Sequence, residues 1–85
     1  SLYLPDLLKI ANLSREKFQK TFRGSPVKRT KWQGLVRNAC IALGNAPITP
    51  GTAFHREVEN TLKQLCQSDD SVISESARWA LLRIQ

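Results

Sequence analysis

Between Arg15 and Arg37 stand eight basic residues, Arg15, Lys17, Lys20, Arg23, Lys28, Arg29, Lys31 and Arg37, against the single acid Glu16. That segment carries a net charge of +7, while the rest of the 85-residue chain nets −1 and the whole carries +6. Like charges gathered this closely repel one another, so the concentration points to an anionic partner. A solvated helix face is the plainer reading of the same residues. Lysine offers a mobile point charge to a phosphate, and arginine adds a flat fork that also stacks on bases.

Other chemistry finds little material. No paired carboxylates, no nucleophile beside a base and no ligand cluster stand at a useful spacing, so hydrolytic or metal chemistry of the chain's own is not supported. Cys40 and Cys66 each fall on an apolar helical position, outside any CxxC or Cys/His cluster, and His55 is the single histidine. Both cysteines read as buried free thiols. No apolar run approaches the roughly 18 residues of a membrane span, and nothing at the start reads as a signal peptide. A cytoplasmic address, no membrane partner and a monomer are the expectations. The chain has no methionine, and Leu2, Tyr3 and Leu4 already resemble the approach to a helix, so a piece of a longer chain is expected.

The elements that would hold the basic segment are helices. A first helix is expected from about Leu4 to Asn12, with Leu4, Leu7, Leu8 and Ala11 at helical spacing and Pro5 tolerated in its first turn. Ser14 then caps a short helix from Arg15 to Phe22, with Leu13 set to staple against Phe18. Gly24 interrupts, and Ser25-Pro26 signals the start of a third helix. Trp32, Leu35, Val36, Ala39, Cys40 and Leu43 give this helix the clearest apolar stripe in the chain, so it is expected to be the central core helix, with Trp32 in the core. Gly44 and Asn45 read as its stop, and Gly24 and Gly44 as residues serving backbone geometry. Pro47, Pro50 and Gly51 form a loop, and Thr52 caps a fourth helix lined by Phe54, Val58, Leu62, Leu65 and Cys66. Asp69, Asp70 and Ser71 cap a fifth, with Ile73, Ala77, Ala80, Leu81 and Ile84 inward and Trp79 off the stripe, available to a neighbour.

No strand signal appears, so the fold class is all-α, about five short helices in one module spanning 1–85. A shift of 38 residues lays Leu35, Ala39, Ala42 and Leu43 on Ile73, Ala77, Ala80 and Leu81. Helix pairs repeating at about 40 residues suggest HEAT-like helical hairpins, though any two amphipathic helices align passably.

The run FRGSPVKRTKWQGLVRNACIALGNA, Phe22 to Ala46, contains a Gly24-Ser25 step, the basic pair Lys28-Arg29, then Leu35-Val36-Arg37-Asn38 and Ala42-Leu43-Gly44-Asn45. In these it resembles the C-terminal part of epoxyqueuosine reductase, the family that completes the queuosine base of transfer RNA. A looser similarity covers the whole chain, with Arg78-Trp79-Ala80-Leu81 matching an Ala-Trp-Ala-like stretch near the end. The resemblance implies a HEAT-like tail that helps hold tRNA, behind an oxidoreductase core carrying cobalamin and two iron-sulfur clusters. The cluster-binding cysteine runs and the core's catalytic acid have no counterpart here, so neither cofactor nor catalysis is expected of this chain alone.

The expected partners are the anticodon region of a tRNA and the catalytic core of the same protein. The candidate RNA-facing residues are Arg23, Ser25, Lys28, Arg29, Lys31, Arg37 and Asn38; for Arg37 and Asn38 a hydrogen bond to a neighbouring loop is an equal alternative. The competing reading is a HEAT-like interaction or bracing domain that binds no nucleic acid.

Overall fold

Three helices begin where a short polar side chain satisfies the first free N–H groups. In the computed structural model, which describes residues 4–21 and 29–85 and only the backbone of residues 21, 29 and 30, five helices follow one another: α1 (Leu4–Ala11), α2 (Arg15–Thr21), α3 (Arg29–Asn45), α4 (Ala53–Leu65) and α5 (Ser71–Ile84). The Ser14 hydroxyl accepts from the Lys17 N–H at 3.1 Å, and that of Thr52 accepts from His55 at 3.1 Å. The Asp70 carboxylate receives the N–H groups of Val72 and Ile73 at 3.0 and 3.3 Å. All three caps fall where the sequence put them, and each satisfies donors the helix itself cannot pair. The Ser25-Pro26 helix start, Gly24 and Phe22 lie outside the described residues.

The described residues are all-α, without a strand. Their core is the apolar stripe of α3 against those of α1, α4 and α5: Val36, Cys40, Leu43, Val58, Leu62 and Ile73 are fully buried, with Ala39, Ala77 and Ala80 between them. The alanines let the helix axes come close. Leu35, expected on the stripe, is instead 37% exposed. It lies at the rim of an apolar notch lined also by Leu7, Ile10 and Ala39, one helical step off the buried line through Val36.

Polar ties across the helices fix their directions. Gln33 near the start of α3 donates to both oxygens of Asp70 before α5, at 3.0 and 2.8 Å, while Arg83 late in α5 donates from Nε to the Gly44 carbonyl late in α3 at 3.2 Å. Those two helices therefore run parallel. His55 at the start of α4 meets the Ile84 carbonyl at the end of α5 at 2.8 Å, so α4 and α5 are antiparallel. Trp32 at the start of α3 donates from Nε1 to the carbonyl of Leu13, just past α1, at 2.8 Å, which makes α1 and α3 antiparallel. Asn12 beyond α1 and Thr61 late in α4 exchange hydrogen bonds at 3.1 and 3.3 Å, a parallel relation. Two antiparallel hairpins, α1/α3 and α4/α5, thus stack in the same sense.

Gly44 corrects one expectation. It is inside α3, not beyond its end, and its backbone is not left-handed; among the described glycines only Gly51, in the loop before α4, has a positive φ, 84°. What Gly44 provides is room. A Cβ there would lie 2.8 Å from Trp79 Cζ3 and 3.0 Å from Ala80 Cα, so its lack of a side chain sets how closely α3 and α5 approach.

Candidate nucleic-acid interface

The basic segment is carried by α2, the link that follows it and the first half of α3. Phe18 is buried and turns α2 inward, which leaves Arg15, Lys17 and Lys20 exposed on its outer side. The connection before α2 is pinned by the Trp32 indole on the Leu13 carbonyl, and the start of α3 by Gln33 on Asp70. Trp32 is accordingly a half-buried part of the core, packed against it through its ring. The exposed charges thus stand on two elements held by tertiary hydrogen bonds.

Of the residues predicted to face RNA, Lys31, Arg37 and Asn38 are exposed on α3. Arg29 is the first residue of that helix, and Arg23, Ser25 and Lys28 lie outside the described residues. The structure does not gather the three visible ones on one face. Lys31 and Arg37 are six residues apart, roughly 9 Å along the axis and some 120° around it. Arg37 turns toward α5, and Asn38 lines the notch toward α1 with Leu7 and Ile10. The Arg37 guanidinium donates to Asn38 Oδ1 at 3.3 Å, a long bond to its own neighbour and not to a distant loop.

The fold adds basic residues that charge counting along the chain passed over. Lys9, offset in sequence by Asp6, shares a groove of about 380 Å³ with Lys17, floored by Leu8, Asn12 and Leu13. A second groove, about 420 Å³, runs between α3 and α5, lined by Arg37, Ile41, Val72, Glu75, Ser76 and Trp79. Trp79 is 40% exposed there, and the Arg83 guanidinium lies over its ring, 4.9 Å from the centroid. Trp79 and Arg83 are more than 40 positions beyond the basic segment, in a stretch of balanced charge, so only their spacing of four on one helix could have paired them.

The remaining chemistry-bearing groups serve the core. Cys40 is buried and unbonded, Cys66 is partly buried and unbonded, and burial, with the nearby Cys66 adding to it, pushes the Cys40 thiol from 9.0 up to about 11. A thiol held neutral in this way is a poor metal ligand and a poor nucleophile. Among the described residues no group of three His, Cys, Asp or Glu side chains converges as a metal site would require. The donors present here therefore do not fit an iron-sulfur cluster or a cobalamin ligand set. No helix among the described residues is long and apolar enough to cross a membrane.

Comparison with known proteins gives a consistent result. No family profile matches the chain, and no solved structure does. Curated relatives do: an epoxyqueuosine reductase of Salmonella typhimurium is 40% identical over 81 residues, 95% of this chain and 19% of the relative. Those of Shewanella oneidensis and Francisella cf. novicida are 34% and 32% identical over 91% and 88% of the chain. The chain spans about one-fifth of the length of each of these relatives. Over that fifth, nearly the whole of its own length, the chain belongs to the epoxyqueuosine reductase family.

Proposed function

We propose that the chain is the C-terminal, HEAT-like module of an epoxyqueuosine reductase, and that its basic segment holds the phosphates of the tRNA on which the missing catalytic core acts. The observation that carries this reading is the net +7 between Arg15 and Arg37, with Arg15, Lys20, Lys31 and Arg37 all exposed on elements that the core anchors. Two antiparallel hairpins stacked in one sense, with the matched alanines of α3 and α5 between them, support the HEAT-like description. The oxidoreductase chemistry, with its cobalamin and iron-sulfur clusters, belongs in this reading to the rest of the protein.

The role is positional. Contacts from lysine and arginine to phosphate fix where an RNA lies without reading its sequence. Binding should weaken steeply with salt, each neutralised phosphate contributing roughly 0.7 to 0.9 to the slope of log affinity on log salt. The test is a titration of a queuosine-type tRNA anticodon stem-loop against the chain at two salt concentrations, beside a variant with Arg15, Lys20 and Lys31 changed to glutamate. The expected result is a large loss of affinity and a shallower salt slope in the variant. Equal binding by the two proteins would contradict the reading.

A bracing role against the catalytic core is the second reading, favoured by Leu82, an apolar side chain 70% exposed on the outer face of α5. It predicts no salt-steep affinity for RNA.

A further inference from the structure

We propose that the groove between α3 and α5 is a nucleotide site, in which an unpaired base of single-stranded RNA stacks on Trp79 while its phosphate rests on Arg37. The proposal rests on the RNA-binding reading above and supplies what a field of lysines cannot, a flat surface for a base.

Three observations converge on it. Trp79 is 40% exposed, and it is held: its ring packs over Gly44, where a Cβ would come within 2.8 Å, and Arg83 lies across it while bonding the Gly44 carbonyl at 3.2 Å. A ring already fixed in place loses little freedom when a base stacks on it. Arg83 braces the ring and does not line the groove, whereas Trp79 does.

The cleft itself, about 420 Å³ with Ile41 and Val72 in its walls, is of the size that takes a small planar ligand. Its charges are sorted: Arg37 on the α3 wall and Glu75 on the α5 wall. Arg37 is exposed, and among the described residues its hydrogen-bond partner is Asn38 at a long 3.3 Å, so it can turn to a phosphate. Glu75 would repel that phosphate and so orients the nucleotide, with its backbone toward α3.

The test uses the 85-residue chain labelled with nitrogen-15 and the single-stranded tetranucleotide rA4, with helical circular dichroism as a check on each variant. The indole N–H signal of Trp79 should move on titration and that of Trp32, bonded to Leu13, should stay. Stacking of one base is typically worth about 1 to 3 kcal/mol, so Trp79→Leu should weaken binding roughly 5- to 150-fold. Arg37→Glu should also weaken it, and Glu75→Gln should tighten it. A Trp79 signal that does not respond, or a folded Trp79→Leu protein that binds rA4 like the wild type, would overturn the proposal; an occupant that is a protein surface would give that outcome. The variant with Arg15, Lys20 and Lys31 reversed separates the two claims. It should lose the stem-loop while the Trp79 signal still responds to rA4, and failure of either response identifies which claim has failed.

Discussion

Gly44 and Cys40 show how single atoms set the tolerances of this fold. Changing Gly44 to alanine would improve helix propensity by about 1 kcal/mol. The new methyl, however, would meet Trp79 Cζ3 at 2.8 Å and the Ala80 backbone at 3.0 Å. The ring can tilt, but the backbone cannot move without parting α3 from α5. Overpacking of this kind costs about 1 to 3 kcal/mol, so Gly44→Ala should lower thermal stability despite its better propensity, as calorimetry would read directly. The Cys40 thiol makes a second prediction. Its folded pKa, about 11, lies above the ordinary 9.0, so between those values the folded chain keeps a proton that the unfolded chain gives up. Stability from this group is complete below pH 9 and declines as pH rises toward 11. Urea unfolding between pH 8 and 11 should show that decline, and native Cys40 should resist alkylation at pH 8 well beyond partly exposed Cys66. The burial of Cys40 was legible from its place on an apolar stripe, whereas Cys66, expected to be buried as well, is only partly so; Gly44's role was not legible, since a glycine before an asparagine at a helix end reads first as a stop.

Among the elements, the caps were the most legible, because a cap is a local contract between one side chain and the next two or three N–H groups. Ser14, Thr52 and Asp70 all stand where expected. What the local pattern could not contain is that Asp70 also receives Gln33 from the start of α3, 37 residues away. Asp70→Ala should therefore cost more than an ordinary cap, beyond the usual 1 kcal/mol or so, in chemical denaturation. Gln33→Ala in the same assay should cost less, since it leaves the cap intact. The stripe of α3 was legible at five of its six positions. Leu35 failed because the exposed rim of a helix stripe is decided by where the neighbouring helix lies, and α1 is short. The relation of α3 to α5 was visible as a 38-residue echo, and its parallel sense emerges only from the Gln33 and Arg83 ties.

Taken whole, the molecule is a small helical scaffold with exposed basic residues on α2 and α3 and an arginine-braced tryptophan in the cleft between its two hairpins. The charge was legible as a count; its distribution was not, because Lys9, Trp79 and Arg83 join the surface through packing and not through nearness in sequence. On α3, Lys31 and Asn38 stand seven residues apart on nearly the same side, while Arg37 is turned about 100° or more from both. Membership in the epoxyqueuosine reductase family covers about a fifth of a relative's length, and among the described residues no group of His, Cys, Asp or Glu side chains converges as a metal site would require. In the proposed role the basic segment holds RNA phosphates, and the stem-loop titration at two salt concentrations tests that role. The wild-type chain should bind with an affinity that falls steeply with salt, and reversal of Arg15, Lys20 and Lys31 should cut both the affinity and the slope. Binding that is absent, or that ignores both salt and those three charges, would contradict it.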